Sequence, residues 1–134
     1  MSNNPAILFA NDAFYLAVAN RDNAAMAEVW AIDTEVSCLH PGWPPIIGRD
    51  DVLESWRRIL GNEQQPPIEV FGASARIVGG CAVVLCYETV SQNFLIATNL
   101  FVRENGLWRM ILHQSGVTSP PEEFPETETL ETVQ

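Results

Sequence analysis

"FLIATNLFVRENGLWRMILHQSG", residues 94–116, decides the fold. Asn105-Gly106 stands between two long runs rich in apolar and β-branched residues. An Asn-Gly pair in that setting is a strong hairpin signal, because a two-residue type I′ turn needs positive φ at both central positions. Such a turn sets Glu104 opposite Leu107, Arg103 opposite Trp108 and Phe101 opposite Met110. Continued without interruption, the same register sets Asn99 opposite Leu112 and Ala97 opposite Gln114. One face then carries Asn99, Phe101, Trp108, Met110, Leu112 and Gln114. The other carries Leu100, Val102, Ile111, His113 and Ser115. Both faces are largely apolar, so neither reads as a solvated surface.

Two more strands precede this hairpin. IEVFGASARIV (68–78) and CAVVLCYETV (81–90) flank Gly79-Gly80, a second hairpin signal that pairs Phe71 with Glu88 and Ala73 with Cys86. A two-residue turn at Ser91-Gln92 would put Glu88 on one face with Asn99 and Gln114. Before residue 61 the periodicity is helical. Pro5 suits a first turn, and Ile7, Ala10, Phe14, Ala17 and Val18 recur at helical spacing up to Asn20. Asp22 is placed to cap a short second helix with Met26, Val29 and Trp30 inward. EVSCLH (35–40) alternates as a strand, with Val36, Cys38 and His40 on one face. The loop PGWPPIIG follows. Asp51 and Glu54 have capping-box spacing before DVLESWRRIL, whose inward residues are Val52, Trp56, Ile59 and Leu60, with Gly61 as its stop.

This order predicts an α+β domain over residues 1–117, with three N-terminal helices on one side of a strongly curved, mainly antiparallel sheet. With only three helices to cover a sheet apolar on both faces, a second subunit is expected to cover the other side, giving a homodimer. Residues 118–134, Pro- and Glu-rich, read as an acidic tail with little apolar area to offset ordering.

Composition narrows the function. The chain has 134 residues and a formal net charge of −10. All its basic residues are arginines, so it offers no lysine for Schiff-base chemistry. No basic stripe favours nucleic acid or an anionic membrane. No apolar run reaches the ~18 residues of a membrane span, and the N-terminal stretch shows no basic region and no cleavage signal, so export is not expected. Cys38, Cys81 and Cys86 are odd in number and each lies in an apolar stretch, which fits reduced thiols and a cytoplasmic protein. There is no GxSxG elbow, P-loop or dinucleotide GxGxxG. Cys38 and His40 on one strand face could begin a metal site, but no further ligand stands at a recognised spacing, so neither metal nor cofactor is expected.

The order HPGW (40–43), GRDDVLESW (48–56), CYETV (86–90) and ATNLFVRENGLWRMILHQSG (97–116) resembles the SnoaL-like branch of the nuclear transport factor 2-like superfamily. The resemblance covers roughly residues 5 to 117. It implies a cone-shaped α+β barrel, a cavity between helices and sheet, and a dimer packed through the sheet. It also implies either a cofactor-free isomerase, cyclase or dehydratase acting on apolar small molecules, or a non-catalytic ligand-binding or assembly module. The chain departs from many relatives in its last strand: Leu112 and Gln114 stand where histidines are common, and Gly116 where a serine follows.

Glu88 is the most informative residue, because a carboxylate inside an apolar strand lies either at a wet rim or buried with a partner. Buried, its pKa rises and it becomes a candidate general base. His40, at a strand end before Pro-Gly, reads either as a backbone-bonded imidazole or as a pocket-mouth group titrating near neutrality. Trp43, held between prolines, and Trp56, on the inner face of the third helix, read as core or as pocket wall; Trp30 reads as core first. The candidate set is therefore Glu88 and His40 for proton transfer, with Trp30, Trp43, Trp56, Asn99, Phe101 and Gln114 for contact with a small apolar organic ligand. An isolated, buried Glu88 beside the pocket favours the enzyme. A salt-paired or solvent-facing Glu88 favours the binding module.

Overall fold

The computed structural model describes residues 4–122. Helix α1 (Pro5–Ala19) starts where expected: Asn4 caps it, its Oδ1 accepting from the amides of Ala6 and Ile7, and Pro5 takes the first turn. Asp22 caps α2 (Asn23–Val29) by accepting from the Ala25 amide. Strands β1 (Ser37–Leu39) and β2 (Ile46–Ile47) precede α3 (Arg49–Gly61). The chain then runs through β3 (Glu69–Val78), β4 (Cys81–Val90), β5 (Asn93–Glu104) and β6 (Leu107–Val117). The six strands lie in the order β2-β1-β6-β5-β4-β3. Among these six strands only the β1–β6 pairing is parallel. The fold is α+β: three helices with one mixed sheet that does not close.

The inner face of the sheet and the helices share one core. Phe14, Trp30, Phe101 and Met110 are all but completely buried in it. Each such side chain contributes about 1.5–3 kcal/mol by leaving water. Two arginines tie helix ends to the rest. Arg49 donates to the carbonyls of Ala27, Trp30 and Ala31 at the end of α2, and Arg21 to those of Leu60 and Asn62 at the end of α3. Glu104 accepts from the amides of Ile32 and Asp33 and from the Thr34 hydroxyl, which fixes the segment after α2.

Four expectations need correction. The first is the Asp51–Glu54 capping box, which does not form. Helix α3 begins earlier, from Gly48, whose φ of 104° suits glycine and which makes no side-chain cap. Glu54 pairs with Arg57 and Arg58 instead. The second is the stop at Gly61, which lies within the helix, with Asn62 as C-cap. The third is the β3–β4 register. An irregularity between Phe71 and Ser74 shifts it, so Val70, not Phe71, faces Glu88.

The fourth correction decides the site. The Asn105-Gly106 turn forms as expected, with φ of 53° and 81°, and Phe101 does face Met110. Beyond that pair the register shifts: Leu100 faces Leu112, Asn99 faces His113 and Ala97 faces Ser115. Ile111 is the extra residue of a β-bulge, and it inverts the alternation of everything after it in β6. His113 and Ser115 therefore turn inward and are buried, while Gln114 pairs with Thr98 on the outer face.

The expected weak packing of the acidic tail concerns residues 118–134, of which 123–134 lie outside the described residues.

Candidate functional site

Glu88 lies near the end of β4, on the face shared with Cys86 and Val84. The Ser91-Gln92 turn is of two residues, Val90 facing Asn93, so Asn99 falls on the same face. Helix α1 crosses that face and brings Asn11 and Tyr15, four residues apart and so on one side of the helix. The resulting polar cluster is almost fully buried. Tyr15 donates to Oε2 of Glu88 at 2.6 Å, and Ser115 donates to Oε1 at 2.8 Å. Asn99 donates to Oδ1 of Asn11 at 2.8 Å and to the Tyr15 oxygen at 3.2 Å. His113 Nδ1 stands 2.6 Å from Oδ1 of Asn99. Because the Asn99 amide nitrogen is spent on those two acceptors, its oxygen must accept, and His113 must donate from Nδ1.

Glu88 is 3% exposed. Among the described residues the salt bridges are those of Glu54 with Arg57 and Arg58; none reaches Glu88. Burial raises its pKa above the ordinary carboxylate value, and the hydrogen bonds from Tyr15 and Ser115 pull only partly against it. Tyr15 is pushed well above the usual phenol value, first by burial and then by the neighbouring Glu88 charge. It is therefore a donor throughout the physiological range.

His40 arrives by a different route. His40-Pro41-Gly42-Trp43 forms a tight turn in which the Trp43 amide bonds the His40 carbonyl at 3.0 Å, with Gly42 at φ 82°. Pro followed by a residue of positive φ is the type II pattern. The turn brings the Trp43 and His40 rings together, tilted by 59° with centroids 4.7 Å apart, and Trp56 meets His40 edge-to-face at 4.8 Å. Nε2 of His40 lies 2.9 Å from Oγ of Ser55, which itself donates to the Val52 carbonyl at 2.7 Å. With the hydroxyl proton committed, His40 donates from Nε2. Burial lowers its pKa to about 4, so it does not titrate near neutrality as its strand-end position suggested. His113 falls to about 3, through burial and the proximity of His40. Both rings are neutral at physiological pH. Burial likewise pushes the Cys38 thiol, 3.6 Å from His40 Nε2, up to about 12.

A cavity of about 360 Å³ joins these groups. Glu88, His40, His113, Trp43, Trp56 and Tyr15 border it, with Phe14, Ile68 and Leu95 among its apolar walls. A larger hollow of about 480 Å³ lies outside, between α1, α2 and the β5–β6 turn, but its carboxylates, Asp22 and Glu28, are exposed. The smaller cavity is the candidate site, because it alone of the pair meets a buried carboxylate and two buried imidazoles.

The structure thus brings Glu88, His40, Trp43 and Trp56 to one cavity. Asn99 sits behind the wall and acts through Tyr15 and His113. Phe101 and Trp30 are buried in the core away from the cavity, and Gln114 is on the opposite face. Tyr15, His113 and Ser115 escaped the sequence reading. Tyr15 was legible in principle, because with Asn11 it extends the inward stripe of α1; the other two were hidden by the bulge.

The SnoaL-like domain family matches residues 7–120. The F-box protein SKIP8 of Arabidopsis thaliana is 31% identical over 114 residues, which are 84% of this chain and 49% of that protein. The chain therefore spans about half the length of this curated relative. Among solved structures, a "putative dehydratase" of the NTF2-like family from Streptomyces avermitilis superposes with a TM-score of 0.77 at 28% identity, covering 87% of this chain and 96% of that one. A "putative calcium/calmodulin-dependent protein kinase type II association domain" from Thiobacillus denitrificans gives 0.73 at 31% identity, covering 82% and 93%. A match over residues 7–120, together with the helix-and-sheet order that encloses the Glu88 cavity, places this chain in the SnoaL-like domain family.

Proposed function

We propose that the protein is a cofactor-free enzyme that moves a proton at carbon within a small, largely apolar substrate, with Glu88 as the acid–base. One observation carries this reading: a carboxylate 3% exposed, without a cationic partner among the described residues, held by two neutral donors at the wall of a ligand-sized cavity. Burial lifts the basicity of such a group, and its fixed position spares it reorganisation. Glu88 removes a proton from a carbon beside a carbonyl and becomes the acid. It then returns that proton either to another carbon, which is isomerisation, or to a leaving hydroxyl, which departs as water. Both outcomes balance without an oxidant or a second cofactor. The aromatic walls of Trp43 and Trp56 exclude water and hold the apolar body.

The test uses 3-hydroxycyclohexanone in D₂O. Deuterium entry beside the carbonyl and release of cyclohexenone are followed by NMR. The wild type should catalyse exchange, and Glu88→Gln should be slower by roughly 100-fold or more, as for a lost general base. Equal exchange in the two proteins would overturn the reading in favour of a binding module.

The same reading includes a homodimer. The outer face of the sheet presents Leu85, Leu100, Val102 and Leu112 half-buried in the single chain, an apolar surface that a second copy would cover. The buried Cys38 and Cys86, both free, suit a reducing, cytoplasmic setting. No helix among the described residues is long and apolar enough to cross a membrane.

A further inference from the structure

Glu88, Tyr15 and His113, whose protons are fixed by their neighbours, each keep a free lone pair and no free proton at the cavity they border. Trp56, which also borders it, has a buried Nε1 proton without a hydrogen-bond partner among the described residues. Glu88 is a carboxylate whose oxygens each keep a second acceptor position beyond Tyr15 and Ser115. Tyr15 has spent its own proton on Glu88. His113 has spent its Nδ1 proton on Asn99, and Asn99 cannot turn its amide round without losing its bonds to Asn11 and Tyr15. The neutral ring is thereby left with a bare Nε2, which has no protein partner among the described residues. The ring is 3% exposed and borders the cavity. No arginine borders it.

From this arrangement we infer that His113 Nε2 is a ligand-recognising acceptor, and that the cavity selects uncharged molecules carrying a hydroxyl group on an apolar ring or chain. The inference rests on the proposed function only in using the same cavity, and it specifies the substrate class. A carboxylate or phosphate would meet these lone pairs and no cation, and the neutral Trp56 N–H is too little to offset its repulsion by Glu88 and its desolvation. A molecule with no donor leaves Nε2 unpaired once water is expelled, and an unpaired buried acceptor is costly. A hydroxyl pairs with Nε2 and satisfies it. An ammonium would also donate, but burying it costs its hydration, and the one charge it could pair with, Glu88, is already held by Tyr15 and Ser115. The hydrogen-bonded chain from Asn11 through Asn99 to His113 acts as a positioning device, holding one tautomer and so one sign of recognition.

The chain has two histidines, so nitrogen NMR on ¹⁵N-histidine-labelled protein can read each ring, with His40→Gln giving the assignment. The wild type should show His113 protonated at Nδ1 and bare at Nε2. Added phenol should shift the Nε2 resonance, and toluene, of the same shape but without a donor, should not. Affinities for the two probes, measured in wild type and in His113→Phe, form a cycle. The preference for phenol over toluene should fall by roughly three- to tenfold in the variant, as expected for one neutral hydrogen bond. Benzoate and benzylammonium should bind more weakly than phenol. If His113→Phe does not fold, the nitrogen shifts of the wild type decide alone. A bare Nδ1, an Nε2 unmoved while phenol binds, or tighter binding of benzoate or benzylammonium would overturn the inference. None of these readouts needs turnover. Phenol bound through Nε2 without Glu88-dependent exchange would sink the proposed reaction and spare this inference, and the converse result would do the reverse.

Discussion

The Tyr15 hydroxyl stands 2.6 Å from Oε2 of Glu88 and carries the only proton that α1 lends to that carboxylate among the described residues. It opposes the effect of burial, favouring the charged form of Glu88. Tyr15→Phe should therefore raise the Glu88 pKa further. Carbon-proton exchange should then need a higher pH, so the rising limb of the pH–rate profile moves alkaline while its plateau is largely kept. A profile that loses height without moving would assign Tyr15 to the reacting atoms instead.

Stability should fall in acid because of the two imidazoles. Their folded pKa values, about 4 for His40 and about 3 for His113, lie below the ordinary 6.5. Above pH 6.5 neither state binds the protons. As pH drops from there, the unfolded chain takes up to two protons that the folded chain refuses, and stability declines by as much as ~2.7 kcal/mol per pH unit. The decline levels off once the folded rings protonate, near pH 3–4. Urea midpoints between pH 3 and 8, at one protein concentration, check this, and His40→Gln should roughly halve the slope.

Glu88 acts in the opposite sense. Its folded pKa is raised, so its contribution is present below the ordinary carboxyl pKa and is lost as pH rises through the folded value. The stability of Glu88→Gln relative to wild type should therefore improve from pH 4 to pH 8, even as activity is lost. A constant difference across that range would mean that Glu88 titrates normally.

Arg49 holds three carbonyls at the end of α2 with one guanidinium. Arg49→Met keeps the apolar stem and removes the fork, and should cost about 2–4 kcal/mol in urea unfolding, since bonds from a charged donor are individually worth ~1.5–3 kcal/mol and are not additive. Arg49→Lys should recover only part of this, because an ammonium cannot span three acceptors in one plane.

Ser91 and Gln92 both adopt positive φ, 51° and 72°, in a two-residue turn that favours Asn-Gly. Replacing the pair by Asn-Gly should raise stability by about 1 kcal/mol, by relieving left-handed backbone at two ordinary residues. Ser91 and Asn93 lie at the cavity wall. A gain in stability accompanied by weaker phenol binding would show that this strained turn shapes the site.

Much of the fold was open to reading because its signals were local. Pro5 and Asp22 mark the starts of the first two helices, and Asn105-Gly106 turns where the pattern breaks. The helix start at Gly48 was missed because a glycine of positive φ ends the preceding segment without a side-chain signature, while Asp51 and Glu54 happened to have the right spacing for another motif. The site was half legible. Glu88 stood out as a carboxylate in an apolar strand, and Pro-Gly fixed the turn that brings Trp43 to His40. Gln114 was assigned to the wrong face because Leu112 and Ile111 are equally apolar, so nothing in the alternation reveals which of them is the supernumerary residue. Only the pairing of Asn99 with His113 and of Glu88 with Ser115, both distant in sequence, distinguishes the two registers.

The bulge at Ile111 also couples folding to the make-up of the candidate site. An unbulged β6 would bury Leu112 and Gln114 in place of His113 and Ser115. The hydrophobic gain would be similar, but the buried Glu88 and Asn99 would lose partners. The polar pairs that prepare the cavity are thus also what tells the last strand where to lie. Mutational tolerance should reflect this: a survey scoring folded yield alone, blind to any substrate, would already mark His113 and Ser115 as intolerant. Selection for a sound protein and selection for a working one cannot be separated at these two positions.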